Sequence, residues 1–179
     1  MNKHVTLGKV PAPDGDGGQF RAVRPQNTTY ALGLSVEMTA REPAYSNMAF
    51  AEWVQVLAGQ IERNHYFFVI DGGDNVVGVA GWALAGHEKA LAWLEQGATL
   101  DHADCGRGNC VILNTWVAGN AEVQRFMIDR GKTELNGKKL IFAKRTYPDG
   151  KMRAVKLPVS KLGEAVGAKP GGADDGKRP

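Results

Sequence analysis

Two cysteines stand five residues apart, Cys105 and Cys110, in a stretch that also holds His102 and the run Gly106-Arg107-Gly108-Asn109. Thiols and imidazoles serve as nucleophiles, proton carriers or metal ligands near neutral pH, so this is where chemistry is sought first. The spacing is not Cys-x-x-Cys and no second cluster completes four ligands, so no metal site is expected. A pair of cysteines this close also makes no disulfide framework, and Cys110, opening an apolar run, reads as a small buried hydrophobe. The glycines around Arg107 could cradle a phosphate through backbone amides, which makes Arg107 and Gly108 cofactor-contacting candidates. They precede a strand rather than open a helix, and a plain turn is the simpler reading. His65, His87 and His102 read as surface or loop histidines.

The elements that must position these groups follow from periodicity. Phe20 to Arg24 alternates apolar and basic residues as a short strand would. Thr28 and Thr29 can cap a helix with Leu32, Val36 and Thr39 on one face, stopped by Glu42-Pro43. Phe50, Trp53, Val54, Leu57 and Ile61 make the apolar stripe of a second helix. Tyr66 to Ile70 and Val76 to Leu84 form a hairpin around Asp71-Gly72-Gly73-Asp74-Asn75, and Gly78 and Gly81 imply close approach to the second strand. Glu88 to Glu95 is a short helix, Gly97 to Asn109 a polar loop, and Cys110 to Ala118 a buried central strand. Asn120 caps a helix to Arg130, with Gly131 as its C′ residue. Lys139 to Tyr147 and Lys151 to Leu157 close the order as a hairpin around Pro148-Asp149-Gly150.

Three spans are therefore expected: a flexible segment over residues 1–20, one domain over 21–162, and a disordered tail over 163–179. The fold class is α+β, with a mainly antiparallel sheet flanked by helices, which is the layout of the N-acetyltransferase superfold. No apolar run approaches the ~20 residues that span a membrane, and the N-terminus lacks the apolar core of a signal peptide, so a cytoplasmic protein is expected. The net charge of +3 divides unevenly: residues 21–110 carry six bases and ten acids, residues 111–162 eleven bases and four acids. The two parts could simply face one another, or the basic part could meet an anionic partner such as a phosphopantetheine carrier. Nucleic acid is the weaker expectation, because no base-reading motif accompanies the charge.

Three segments carry a family resemblance. Leu32-Gly33 followed by Glu42-Pro43-Ala44-Tyr45-Ser46-Asn47 and a helix ending at Tyr66 is the first; Val77 to Trp82-Ala83 with Leu94 is the second; Gly108 to Thr115-Trp116-Val117-Ala118 is the third. Together, over roughly residues 30–157, they resemble the RTX toxin-activating lysine acyltransferases, whose fold is GNAT-like. The resemblance implies transfer of a fatty acyl group from acyl carrier protein to a lysine ε-amine, often by a dimer. It places the family's catalytic His on Tyr45 and its Asp on Thr115, so both are changed here. Trp82 and Trp116, on adjacent candidate strands, could line an acyl channel, with core packing as the plainer alternative.

The change matters chemically. A lysine amine must lose a proton during acyl transfer; a histidine can take it at neutral pH, whereas a tyrosine is already protonated there. Tyrosine could instead act as an acid toward a departing thiolate, and threonine supplies no negative charge. Two function classes follow. One is a diverged acyltransferase using acyl carrier protein or acyl-CoA and an amine acceptor, with no tightly bound cofactor. The other is a non-catalytic binding or structural module on the same scaffold, for example a virion-associated one.

Overall fold

A computed structural model describes residues 19–45, 48–146 and 151–167. The expected flexible segment and tail, and the turn at Pro148-Asp149-Gly150, lie wholly or largely outside the described residues. Six strands form one sheet in chain order: β1 (Phe20–Val23), β2 (Tyr66–Asp71), β3 (Val76–Ala85), β4 (Cys110–Ala118), β5 (Leu140–Thr146) and β6 (Met152–Pro158). All neighbours are antiparallel except β4 and β5, which run parallel because α4 (Ala121–Glu134) carries the chain between them. The expected α+β class with a mainly antiparallel sheet is the one observed.

Period-2 alternation sends each strand's side chains to two faces. Phe67, Val69, Trp82, Val111, Leu113 and Ile141 pack under α4 and the short α5 (Leu162–Ala165). On the other face, Tyr66, Phe68, Ile70, Val79 and Val117 meet α1 (Thr28–Ala40) and Ile61 of α2 (Phe50–Glu62). Ala83, Cys110, Ile112 and Phe142 continue that face under α3 (His87–Gln96). The sheet is thus covered on both sides, and Cys105 and Cys110 are free, buried thiols whose pKa values burial pushes up. Among the described residues no group of His, Cys, Asp and Glu is placed to hold a metal, and no helix is long and apolar enough to cross a membrane.

Local expectations fail where packing outweighs propensity. Asn27, not Thr28 or Thr29, caps α1, its side chain accepting from the Tyr30 N–H, and the buried face is Ala31, Leu34, Ser35 and Thr39. Phe50 begins α2 but is 73% exposed. Gly131 does not end α4; the helix runs on to Glu134, and a Cβ at this position would lie 2.7 Å from Leu162 Cδ2 and 3.3 Å from the Trp116 ring. Leu162 and Ala165 of α5 are buried in the core cluster on the α4 face. The short first strand expected from Phe20 to Arg24 is present as β1, and its Phe20 ring lies 5.9 Å from that of Phe126.

Candidate functional site

β4 and β5 pair over four residues only, from Cys110–Leu140 to Leu113–Ala143. Beyond that point both strands continue, β4 to Ala118 and β5 to Thr146, without facing each other. The parting coincides with an irregularity on the other side of β4. Gly81 pairs with Thr115 and Trp82 with Leu113, which leaves Asn114 as an extra residue. Such a bulge bends the strand and increases its local twist, here turning the end of β4 away from β5.

A cavity of about 640 Å³ fills the gap. Tyr45, Met48, Ala49, Glu52, Trp53, Val56 and Trp93 line it from the elements on one face of the sheet. Leu113, Asn114, Trp116, Ala143, Lys144, Arg145 and Met152 come from β4, β5 and β6, and Ala165 and Val166 from the end of α5. The walls are mainly apolar and aromatic, as in sites for small organic ligands. Asn114 offers a side-chain oxygen, Oδ1, that is buried and without a hydrogen-bond partner. Lys144 holds its ammonium 4.5 Å from the centre of the Trp93 ring, a cation–π contact on the cavity wall.

Tyr45 enters the cavity because Glu42-Pro43 ends α1 and folds the next residues into a single turn, Pro43–Tyr45. Its hydroxyl accepts the backbone N–H of Trp116 at 2.9 Å. Its ring stacks on Trp53 at 5.0 Å, and the Trp53 indole N–H donates to Thr39 Oγ1 at 3.1 Å. Burial pushes the Tyr45 hydroxyl pKa up, Glu42 adds to the rise, and the Trp116 N–H opposes it. The phenol therefore keeps its proton at neutral pH, and that hydrogen remains free to be donated onward.

Thr115 takes a different path. It is fully buried, and its Oγ1 donates to Gln60 Oε1 of α2 at 3.2 Å. It does not line the cavity. Trp116 does, with its indole N–H donated to Gln124 Oε1 of α4 at 2.9 Å. Trp82 packs in the core beneath α4, beside Phe67 and His65, and Arg107 and Gly108 sit at the far end of β3; none of the three lines the cavity. The three histidines among the described residues are elsewhere as well. His65 stacks on Trp82, His87 meets Phe142 edge-on, and His102 lies 3.1 Å from Glu62.

The expected pair thus resolves into one cavity residue, Tyr45, and one packing residue, Thr115. Asn114, Glu52, Trp53, Trp93, Lys144 and Arg145 are the cavity residues that sequence patterning missed. Trp53 was visible only as part of an apolar stripe, and the bulge at Asn114 has no local signature.

No protein-family model and no curated protein matches the chain. Solved structures do resemble it. A GNAT-like decarboxylase, GphF, in complex with isobutyryl-CoA is 15% identical with a TM-score of 0.46, over 73% of this chain and 68% of that one. Arylalkylamine N-acetyltransferase 2 from Aedes aegypti is 12% identical with a TM-score of 0.48, over 74% and 79%. A GNAT-family acetyltransferase from Listeria monocytogenes is 9% identical with a TM-score of 0.49, over 88% and 90%.

Proposed function

We propose that the chain is a diverged acyltransferase, resembling the toxin-activating lysine acyltransferases, that moves an acyl group from a thioester donor to an amine. The observation that carries this is the Tyr45 hydroxyl, held on the Trp116 N–H inside a mainly apolar cavity at the parting of β4 and β5. An acyl chain fits such walls, and the open backbone edge of β4 can meet the thioester carbonyl. In the transfer the amine nitrogen bonds to the acyl carbon, the C–S bond breaks, and the departing sulfur takes a proton. Tyr45, kept protonated by burial, supplies that proton. The acceptor must first shed its ammonium proton to solvent. Glu52, the carboxylate on the cavity wall, holds the amine there and takes the second proton, which the nitrogen loses as the N–C bond forms, and Tyr45 regains from solvent the proton it gave to sulfur.

The donor class favoured is acyl carrier protein over acyl-CoA. Helix N-termini commonly seat nucleotide phosphates, yet the first free amides of α4, at Glu122 and Val123, are occupied by the Asn120 side chain at 2.9 Å. Glu122 adds negative charge to that turn. Lys144 and Arg145 of β5, by contrast, stand on the cavity wall, and the sequence over 139–156 holds six bases and one acid, a balance suited to an acidic carrier.

One observation favours the non-catalytic reading. Thr115, where the resemblance places an acid, is turned to Gln60 and cannot assist Tyr45. The deciding experiment incubates the protein with acyl carrier protein or acyl-CoA and lysine-bearing peptides and follows acyl adducts by intact mass. Turnover that disappears in Tyr45→Phe supports transfer. Binding of the donor without turnover in any acceptor supports the binding module.

A further inference from the structure

At the end of α2 remote from the cavity, four segments bring basic groups together. Arg63 follows the last turn of α2, His65 opens into β2, Lys138 lies between α4 and β5, and Gly106 to Gly108 lead into β4. The stem of Arg63 passes the glycine segment, with Cδ 3.8 Å from where a Cβ at Gly106 would stand, while its terminal nitrogens lie back over Gly59 of α2. Lys138 Nζ donates to Gly108 O at 3.1 Å from the other side. His65, two residues after Arg63, stacks on Trp82 with ring centres 6.0 Å apart, and Arg63, Lys138 and Arg24 are the charges that act on its ring.

Two polar atoms in this cluster are buried and unpartnered, Nε of Arg63 and Nδ1 of His65. The guanidinium Nε–H is a donor only, and His65 Nδ1 is a donor in the tautomer that carries its hydrogen there. Buried donors without acceptors are rare and ask for an explanation. The surrounding carboxylates do not supply one. Glu134 is engaged by Arg24 and Arg130, Glu62 by His102, and Asp104 by Lys89. Neither Arg63 nor Lys138 makes an ion pair among the described residues. Positive charge, orphaned donors and a glycine-lined approach therefore meet where, among the described residues, no carboxylate pairs with Arg63 or Lys138, Asp101 and Asp104 acting instead on Cys105 beside Arg63.

We propose that this end of the sheet is an anion site, in which Arg63, His65 and Lys138 grip a tetrahedral oxyanion of the phosphate or phosphate-monoester class beside Gly106 to Gly108. Arg63 stands seven residues beyond Val56, the last residue of α2 to line the cavity, about 10 Å along the helix at 1.5 Å per residue. The site rests on different residues from the acyltransferase reading and stands whether or not that reading holds. The oxyanion accepts from Arg63 Nε and His65 Nδ1, and its charge offsets the three cations that otherwise crowd the imidazole. Gly108, with φ of +137°, sets the course of the loop against Ala85, so the wall of the site is fixed by backbone rather than by mobile side chains.

The test is NMR of the histidine ring resonances in full-length protein, titrated with inorganic phosphate against sodium chloride of equal ionic strength. The His65 signal is expected to move saturably and its titration midpoint to rise from about 4, while His87 and His102 stay in place. Arg63→Gln and Lys138→Gln, both at half-buried positions, should each weaken binding about tenfold through loss of one charge-assisted contact. A second arm uses adenosine monophosphate. Tighter binding than phosphate identifies the phosphate group of a larger ligand as the natural occupant, and equal binding identifies free phosphate. No phosphate-specific movement of His65, or the same movement in Arg63→Gln, overturns the proposal. Thermal unfolding of both variants without phosphate confirms that any loss is of binding and not of fold.

Discussion

The hydroxyl of Tyr45 and the backbone N–H of Trp116 lie 2.9 Å apart although 71 residues separate them in sequence. That amide belongs to the stretch of β4 that β5 has left, so the phenol occupies an edge where a strand would otherwise pair. The contact links the turn after α1 to the parting of the sheet, and it sets the first expectation.

Tyr45→Phe keeps the ring on Trp53 and removes only the acceptor for the Trp116 N–H. Stability should fall by about 1–2 kcal/mol, the range for a backbone donor deprived of its partner. Acyl transfer should be lost in the same variant, because the proton for the leaving sulfur is gone. Urea denaturation and an intact-mass transfer assay read the two effects separately. A variant as active as wild type rules out Tyr45 as the acid.

Thr115→Val separates packing from chemistry. The substitution preserves shape but strips the donor from Gln60 Oε1, inside a fully buried contact whose other amide atom, Gln60 Nε2, already lacks a partner. A loss of about 1–3 kcal/mol in stability is expected, with the transfer rate per folded molecule unchanged. A rate that collapses while the melting temperature holds would return Thr115 to the site.

The strands and helices were legible in sequence where one period dominated. The apolar run Cys110 to Ala118 matches the whole of β4, and the Trp53, Leu57, Ile61 spacing marks the buried side of α2. What stayed hidden was long-range. The bulge at Asn114 depends on how β3 aligns with β4, and the parting of β5 depends on where α4 returns the chain. Gly131 shows the same limit: by local rules it ends a helix, yet Leu162 and Trp116 pack against its bare backbone and the helix continues. Glycine there serves close contact, not termination. Tyr45 could be placed at a functional position by resemblance, but nothing nearby in sequence indicated that its partner is an amide.

His65 gives stability a pH dependence of definite sign. Burial, together with Arg63, Lys138 and Arg24, lowers its pKa from the usual 6.5 to about 4. Above about pH 6.5 both folded and unfolded chains carry the neutral ring and it contributes no slope. As pH falls from about 6.5 to 4 the unfolded chain takes up the proton first, so stability declines across that window. His65→Gln should flatten this part of a urea-denaturation series in phosphate-free buffer. An unchanged slope in the variant assigns the dependence to other groups.

Two glycines should respond to alanine in opposite directions. Gly33 is exposed within α1, with open space where a Cβ would go, so Gly33→Ala should stabilise by about 0.5–1 kcal/mol. Gly108 has φ of +137°, and a Cβ there would run into the backbone carbonyl of Ala85. Backbone cannot step aside as a flexible side chain can, and Gly108→Ala should destabilise by about 2 kcal/mol or more. Thermal melts of the two variants, which should move up and down respectively, provide the check.

Asn114→Leu tests whether the bulge residue is kept for a ligand or for the fold. In the protein as it stands, Oδ1 is buried on the cavity wall without a donor, a condition that costs about 1–3 kcal/mol. Leucine has similar volume and no polar atom to satisfy, so the empty protein should become more stable or stay unchanged. A ligand whose N–H meets Oδ1 would lose that contact, and its affinity should fall about tenfold or more. Fluorescence of the cavity tryptophans Trp53, Trp93 and Trp116 reports binding of an acyl-pantetheine probe, which carries both the acyl chain and amide N–H groups. Gain or parity in stability with loss of affinity assigns Asn114 to ligand recognition. Loss of stability with affinity intact assigns it to holding the bulge, and then the parting of β4 from β5 depends on its side chain.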